Sequence, residues 1–251
     1  MIPYIPFKDI HIGSIPIHVW GFFVALGIIL GTMVAINRAK GKVPQVEIVN
    51  AGFYVVLFGF LGSRLLSLAE TNNLGLGNFI NPNLGGLSEF GGVVTAVIVG
   101  LIFLRLKRLS VPLFLDVAGP ALLLAEGISR IGCFAIHDHI GKQTSFFLAT
   151  NFDGVLRHDI GLYLSLVALL GFLFVLAVEK AKKLAPGNIG LISLAWFFGA
   201  RFLLDFLKAD DWPYSITRYW GLSLAQYLAI FFTVMLLYSI KRINRSDHST
   251  A

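Results

Sequence analysis

A single cysteine in 251 residues, Cys133, rules out an internal disulfide. Charge is scarce as well, at 14% of residues, where a soluble domain of this length carries roughly a quarter. The N-terminal stretch lacks a basic region before its first apolar run and no small-residue cleavage site follows that run, so a cleaved signal peptide is not expected. No internal repeat is visible, which counts against an inverted-repeat transporter. No segment reads as a soluble second domain. The stretch from Glu70 to Glu89 contains neither Lys nor Arg.

What the chain has in quantity is hydrocarbon. Hydrophobic residues make up 56% of it, in runs of about 17–24, the length that crosses a bilayer core. The expected fold is an all-α, polytopic integral membrane bundle of about seven transmembrane helices. They are placed near 17–36, 48–68, 90–106, 113–134, 162–178, 189–206 and 222–240. The whole of 1–251 reads as one membrane domain, with 70–89 and 135–160 as the small external part and 241–251 as a cytoplasmic tail.

The net charge of +6 raises the question of nucleic acid, and the position of the cations answers it. Arg38, Lys40 and Lys42 follow the first span, and Arg105, Lys107 and Arg108 the third. Lys180, Lys182 and Lys183 follow the fifth, and Lys241, Arg242 and Arg245 the seventh. Cations on alternate loops are a topology signal: the N-terminus is expected outside and the C-terminus in the cytoplasm. No nucleic-acid partner is expected, and attraction to anionic membrane lipid is secondary.

Polar chemistry concentrates at one end of the spans. Residues 129–141 read SRIGCFAIHDHIG directly after an apolar helix, and ionisable groups at membrane depth are costly enough to mark a working site. Glu126 and Arg130 are four residues apart, as are Arg201 and Asp205, so each pair can join on one helix face. Arg64, Arg130, Arg201 and Lys208 can converge on one anionic group, and guanidinium forks suit phosphate. A structural ion pair is the competing reading of each. Gly85-Gly86 and Gly91-Gly92 straddle a helix start, where bare backbone donors form a natural anion seat.

His137, Asp138 and His139 form a triplet in which a histidine can serve as base. Neighbours at successive positions cannot all face one ion on a regular helix, and no C-x-x-C or H-x-x-x-H spacing occurs, so no metal and no cofactor are expected. Cys133 reads as a small buried residue.

In this order the motifs resemble the prolipoprotein diacylglyceryl transferase family. Its signature G-R-x-G-N-F-x-N-x-E-x-x-G is matched at Arg130, Gly132, Phe134 and Gly141, with Asp138 where the family has Glu. His18-Val19-Trp20-Gly21 resembles the family's H-W-Y-G, and Gly62-Ser63-Arg64 its G-x-R. The glycine-rich segment ending in Gly91-Gly92 resembles the entry to its third span. Arg157-His158 with Leu162-Tyr163 resembles R-H-P-S-Q-L-Y-E, and Arg201 with Asp205 a paired Arg and Glu.

The resemblance implies transfer of a diacylglyceryl group from phosphatidylglycerol to the lipobox cysteine of a preprolipoprotein, recognised through its signal peptide, in a bacterial inner membrane with the site toward the outer leaflet. It implies Asp138, Arg130 and Arg201 as catalytic, and Arg130, Arg64, Arg201, Asp205, Gly141, Gly91, Gly92 and Trp20 as binding phosphatidylglycerol; His137 and His139 have no counterpart in the signature and are expected to be catalytic as replacements for the base that Phe90 lacks. Trp20 stands where the family has Tyr, Phe90 where it has His, Cys133 and Ile136 where it has Asn, and Leu164 where it has Glu. Two alternatives stay open: a catalytically altered paralogue that binds phospholipid or lipoprotein, and a transporter, which needs a continuous polar path.

Overall fold

A computed structural model describes residues 2–13, 15–81, 86–211 and 217–235. Among the described residues, six helices are long and apolar enough to cross a membrane. They are α1 (Val19–Ala39), α2 (Gln45–Glu70), α4 (Glu89–Leu106), α5 (Val111–Ile136), α6 (Ile160–Ala181) and α7 (Asn188–Leu204), the last extended by a 3₁₀ turn at Asp205–Leu207. A short α3 (Leu76–Ile80) lies between α2 and α4. The expected seventh span appears as α8, Leu224–Met235. Its continuation to 240 and the tail at 241–251 fall outside the described residues. The chain is a multi-pass membrane bundle.

The helices approach closely because their contacts are made by small residues. On α1, Gly27, Gly31, Ala35 and Ala39 recur every fourth position and are all buried. A Cβ on Gly27 would meet the Ala125 carbonyl of α5 at 2.6 Å, and one on Gly31 the Ala125 Cβ at 2.9 Å. Without a hydrophobic drive between helices in lipid, such close backbone packing supplies the association. α5 is central and packs on α1, α6 and α7, while α2 pairs with α4.

At one end of the bundle a proline sets up a clamp. Pro120 inside α5 has no N–H for the Asp116 carbonyl four residues earlier. Arg38 of α1 donates to that carbonyl at 2.9 Å and to Glu179 of α6 at 2.7 Å. The Asp116 carboxylate accepts from the Gly187 and Gly190 amides at 2.6 and 2.8 Å, capping the start of α7.

The segments expected to be external are more ordered than a pair of loops. β1 (Ile2–Pro3), β4 (Ile140–Gln143), β5 (Thr150–Phe152) and β6 (Val155–Asp159) form one sheet in the order β1-β5-β6-β4. β5 and β6 are joined through Asp153 (φ 48°) and Gly154 (φ 89°), the left-handed pair that a two-residue hairpin turn requires. Separate hairpins are made by β2 (Asp9–Ile12) with β3 (Ile15–His18), and by β7 (Arg218–Tyr219) with β8 (Leu222–Ser223). The all-α expectation therefore holds for the spans and is corrected outside them.

Candidate active site

The site forms where the ends of α4, α5 and α7 meet the 137–141 segment and the start of α8. Arg130 Nε donates to Glu126 Oε1 at 2.7 Å, so the expected pair exists. The second expected pair does not. Arg201 is joined instead to Glu89, the first residue of α4 and 112 positions away in sequence. The chain tightens to 3₁₀ at Asp205, which turns its carboxylate away from Arg201 toward Lys208 and the Ser223 hydroxyl.

Glu89 is the hub. Arg201, Arg130, Lys208 and His139 all lie close enough to act on its carboxylate electrostatically. Lys208 is held below the usual lysine range, by burial first and by Arg201 second. Sequence reasoning missed Glu89. The signal was an acid at the mouth of an apolar helix, in a stretch without cations.

The Arg201 side chain is only 5% exposed, yet its Nε and Nη1 have no hydrogen-bond partner among the described residues. Beside it, Leu123, Glu126, Leu164, Ala168, Trp196, Phe197 and Ala200 line a small, largely apolar cavity of about 10 Å³, room for about one water. A second cleft, about 210 Å³, is lined by Ser88, Glu89, Phe90, Lys208, Thr217, Ser223, Leu224, Ala225 and Leu228. The guanidinium donors suit an anionic group, and the second cleft, with Lys208 on its lining and Phe90, Leu224 and Leu228 in its apolar wall, offers the larger space.

The His-Asp-His triplet is divided. α5 ends at Ile136 and His137 adopts the left-handed conformation, φ 51° and ψ 46°. His137 is buried among Tyr4, Phe134 and Phe152, with Nδ1 2.6 Å from Asp159. Asp159 in turn caps α6 by accepting from the Leu162 amide. Burial holds its carboxyl above the usual range against the pull of His137. His137 thus braces the sheet to α6, a structural duty in place of the expected catalytic one.

His139 faces the site, with Nε2 3.3 Å from Arg130 Nη1 and Nδ1 bonded to Asp138. Burial opposes its protonation, but the contacts with Asp138 and Cys133 outweigh this and push it up to about 9. At neutral pH it counts among the cations and not as a free base.

The remaining expected residues take backbone roles. The Arg64 guanidinium is taken up by the carbonyls of Asn78, Phe79, Asn81 and Gly86, which removes it from the headgroup cluster. Gly91 is buried where a Cβ would meet the Gly62 carbonyl at 2.5 Å, and the Gly92 amide donates to Ser88. These glycines seat α4 on α2 and do not form an open anion cradle. Gly85 lies outside the described residues. Gly141 is buried with no room for a Cβ between His158 and the Leu207 carbonyl. Trp20 is 37% exposed, its backbone packed on Gly132.

Known proteins share this chain's pattern along most of its length. The sequence profile of the family described as prolipoprotein diacylglyceryl transferase matches residues 9–241. The phosphatidylglycerol–prolipoprotein diacylglyceryl transferase of Bacillus cytotoxicus is 28% identical over 226 residues, covering 84% of this chain and 83% of its own. That of Staphylococcus aureus strain MRSA252 is 30% identical over 229 residues, 83% of this chain and 79% of its own. That of Finegoldia magna is 30% identical over 196 residues, 76% and 79% of the two chains. With its spans, its arginine-rich bundle end and this match in register, the chain belongs to the prolipoprotein diacylglyceryl transferase family.

Proposed function

We propose that this protein transfers the diacylglyceryl group of phosphatidylglycerol to the lipobox cysteine thiol of preprolipoproteins. The observation that carries the reading is the buried guanidinium of Arg201 with two unpartnered donors beside an apolar cavity. A buried donor without an acceptor costs about 1–3 kcal/mol, more when charged, and a bound phosphate oxygen removes that cost.

In the reaction the thiol gives up its proton to water, and its sulfur attacks the carbon of the diacylated glycerol that is bonded to the phosphate oxygen. A carbon–sulfur bond forms, the carbon–oxygen bond breaks, and its electron pair leaves on glycerol phosphate. Arg201, Arg130, Lys208 and protonated His139 surround the charge that develops, in a site poor in water. The alternate basic loops support an orientation with this end of the bundle outside, in a bacterial inner membrane.

The test is lipidation of a lipobox peptide in phosphatidylglycerol vesicles, together with complementation of a cell lacking its own transferase. Arg201→Lys keeps the charge and loses the fork, and turnover should fall about 10²-fold. Phospholipid binding without any lipidation by the parental protein would favour the altered-paralogue reading, for which Phe90 and Trp20 speak.

A further inference from the structure

A thiol that is to attack carbon must first lose its proton, and the acids at this end of the bundle are not equally free to take it. Asp159 is occupied by His137 and the Leu162 amide, and Glu126 by Arg130. Asp205 is fully buried, joined to Lys208 and the Ser223 hydroxyl. Asp138 is bonded to His139, which carries its own proton at neutral pH. Phe90, where a histidine would stand in the family signature, offers no acceptor.

Glu89 is placed differently. It immediately precedes Phe90 on the first turn of α4, and among the described residues it is the carboxylate on the lining of the larger cleft. Its side chain is 45% exposed, whereas that of its partner Arg201 is buried. Phe90, Leu224, Ala225 and Leu228 give the cleft an apolar wall on which a signal-peptide segment can pack, so a thiol carried by that segment meets Glu89.

The charges around Glu89 set when it can act. Arg201 of α7, Arg130 of α5, His139 and Lys208 all act on its carboxylate. From α2, Glu70 accepts from the adjacent Ser88 hydroxyl, and α8 brings uncharged residues to the cleft. While Arg201 is joined to Glu89, the carboxylate is neutralised. An anion placed beside a carboxylate favours its protonated form. A phosphate that takes Arg201 therefore leaves Glu89 with a charge to balance, and a proton from the thiol balances it.

We propose that Glu89 takes the proton of the preprolipoprotein thiol, once the lipid phosphate has drawn Arg201 from it. The proposal rests on the transferase reading and deepens it by naming the proton acceptor. The S–H bond breaks, its proton passing to a carboxylate oxygen of Glu89 and from there to water. The sulfur electron pair forms the carbon–sulfur bond, the carbon–oxygen bond breaks, and its pair leaves on glycerol phosphate. The order of events follows from the shared guanidinium. With no lipid bound, Arg201 keeps the carboxylate and the thiol keeps its proton.

The full-length protein in phosphatidylglycerol vesicles is given two lipobox peptides, one with cysteine and one with selenocysteine. The selenol is already ionised at neutral pH and needs no base. With the cysteine peptide, Glu89→Gln should lower kcat about 10²–10⁴-fold, the worth of a general base, while KM for phosphatidylglycerol does not rise. The remaining rate should climb with pH as the thiol ionises unaided, near its ordinary value of about 8.5. With the selenocysteine peptide the same variant should turn over at close to the parental rate. Glu89→Asp sets the carboxylate back by one methylene and should show the same split at about 10²-fold. It carries the test if thermal melts show Glu89→Gln unfolded.

An unchanged kcat with the cysteine peptide overturns the proton role and leaves the transferase reading standing. Equal losses with both peptides do the same, because they mark Glu89 as a positioning group. Parental protein that lipidates neither peptide overturns the transferase reading and this proposal with it.

Discussion

The residues that matter here were legible where sequence spacing equals spatial spacing, and hidden where it does not. Glu126 and Arg130 share a helix face and pair as their four-residue offset implies. Arg201 and Asp205 have the same offset, but the 3₁₀ turn breaks the face, and Glu89 arrives from a different helix. A partner 112 positions away leaves no trace in local spacing. On the proposed reading, Glu89 and the substrate phosphate compete for one guanidinium. Glu89→Gln should therefore tighten phosphatidylglycerol binding and lower KM by about tenfold, the worth of one charge-assisted hydrogen bond of roughly 1.5 kcal/mol. Steady-state kinetics over a range of phosphatidylglycerol fractions reads this, and an unchanged or raised KM would show that Glu89 serves the lipid and does not oppose it. Arg64→Lys makes the contrast. Its guanidinium serves the carbonyls of the 78–86 segment, so the change should speed hydrogen exchange at Asn78–Asn81 and leave KM within about twofold, the range of a change that touches no substrate group.

Helices were easier to read than strands because their signal is long. The apolar run near 17–36 announces α1, a helix of 21 residues, whereas β5 has three residues and β1 two. The Asp153-Gly154 turn was the readable trace of the sheet, since that pair favours the left-handed turn of a hairpin. The small-residue stripe on α1 is open to a direct test. Gly31→Leu forces its side chain against Ala125 and the Ala121 carbonyl. Overpacking of this kind should cost about 1–3 kcal/mol, seen as a shifted unfolding midpoint in detergent. The sheet carries a pH test. His158 on β6 lies 3.0 Å from the Tyr163 hydroxyl, and burial pulls its pKa below the ordinary value near 6.5. Between the two values the unfolded chain binds the proton and the folded one does not, so stability falls as pH drops below about 6.5. His158→Gln should flatten that part of the profile; a slope unchanged by the substitution would place the titration elsewhere.

For the whole molecule, the alternation of basic loops leads to an arrangement that fusions can read. Reporters at Lys42, Lys107 and Lys182 should report cytoplasm, and those at Asn73 and Asp153 the outside. Ser246, the remaining cytoplasmic site, lies outside the described residues. One reversed reporter would put the arginine cluster on the wrong side for exported substrates. The two ends of the bundle differ in build. Arg38, Glu179 and Asp116 tie α1, α5, α6 and α7 together at one end. At the other, Phe90 of α4 and Leu224, Ala225 and Leu228 of α8 leave a cleft between two apolar helices. That cleft has a kinetic consequence. A lipid and a signal peptide that both reach it from within the bilayer search a plane, not a volume. Turnover should then follow the mole fraction of phosphatidylglycerol in the vesicle and stay constant when the same vesicles are diluted with buffer. The protein would obey surface density, as a raft on a pond meets others by crowding on the water and is indifferent to the depth below.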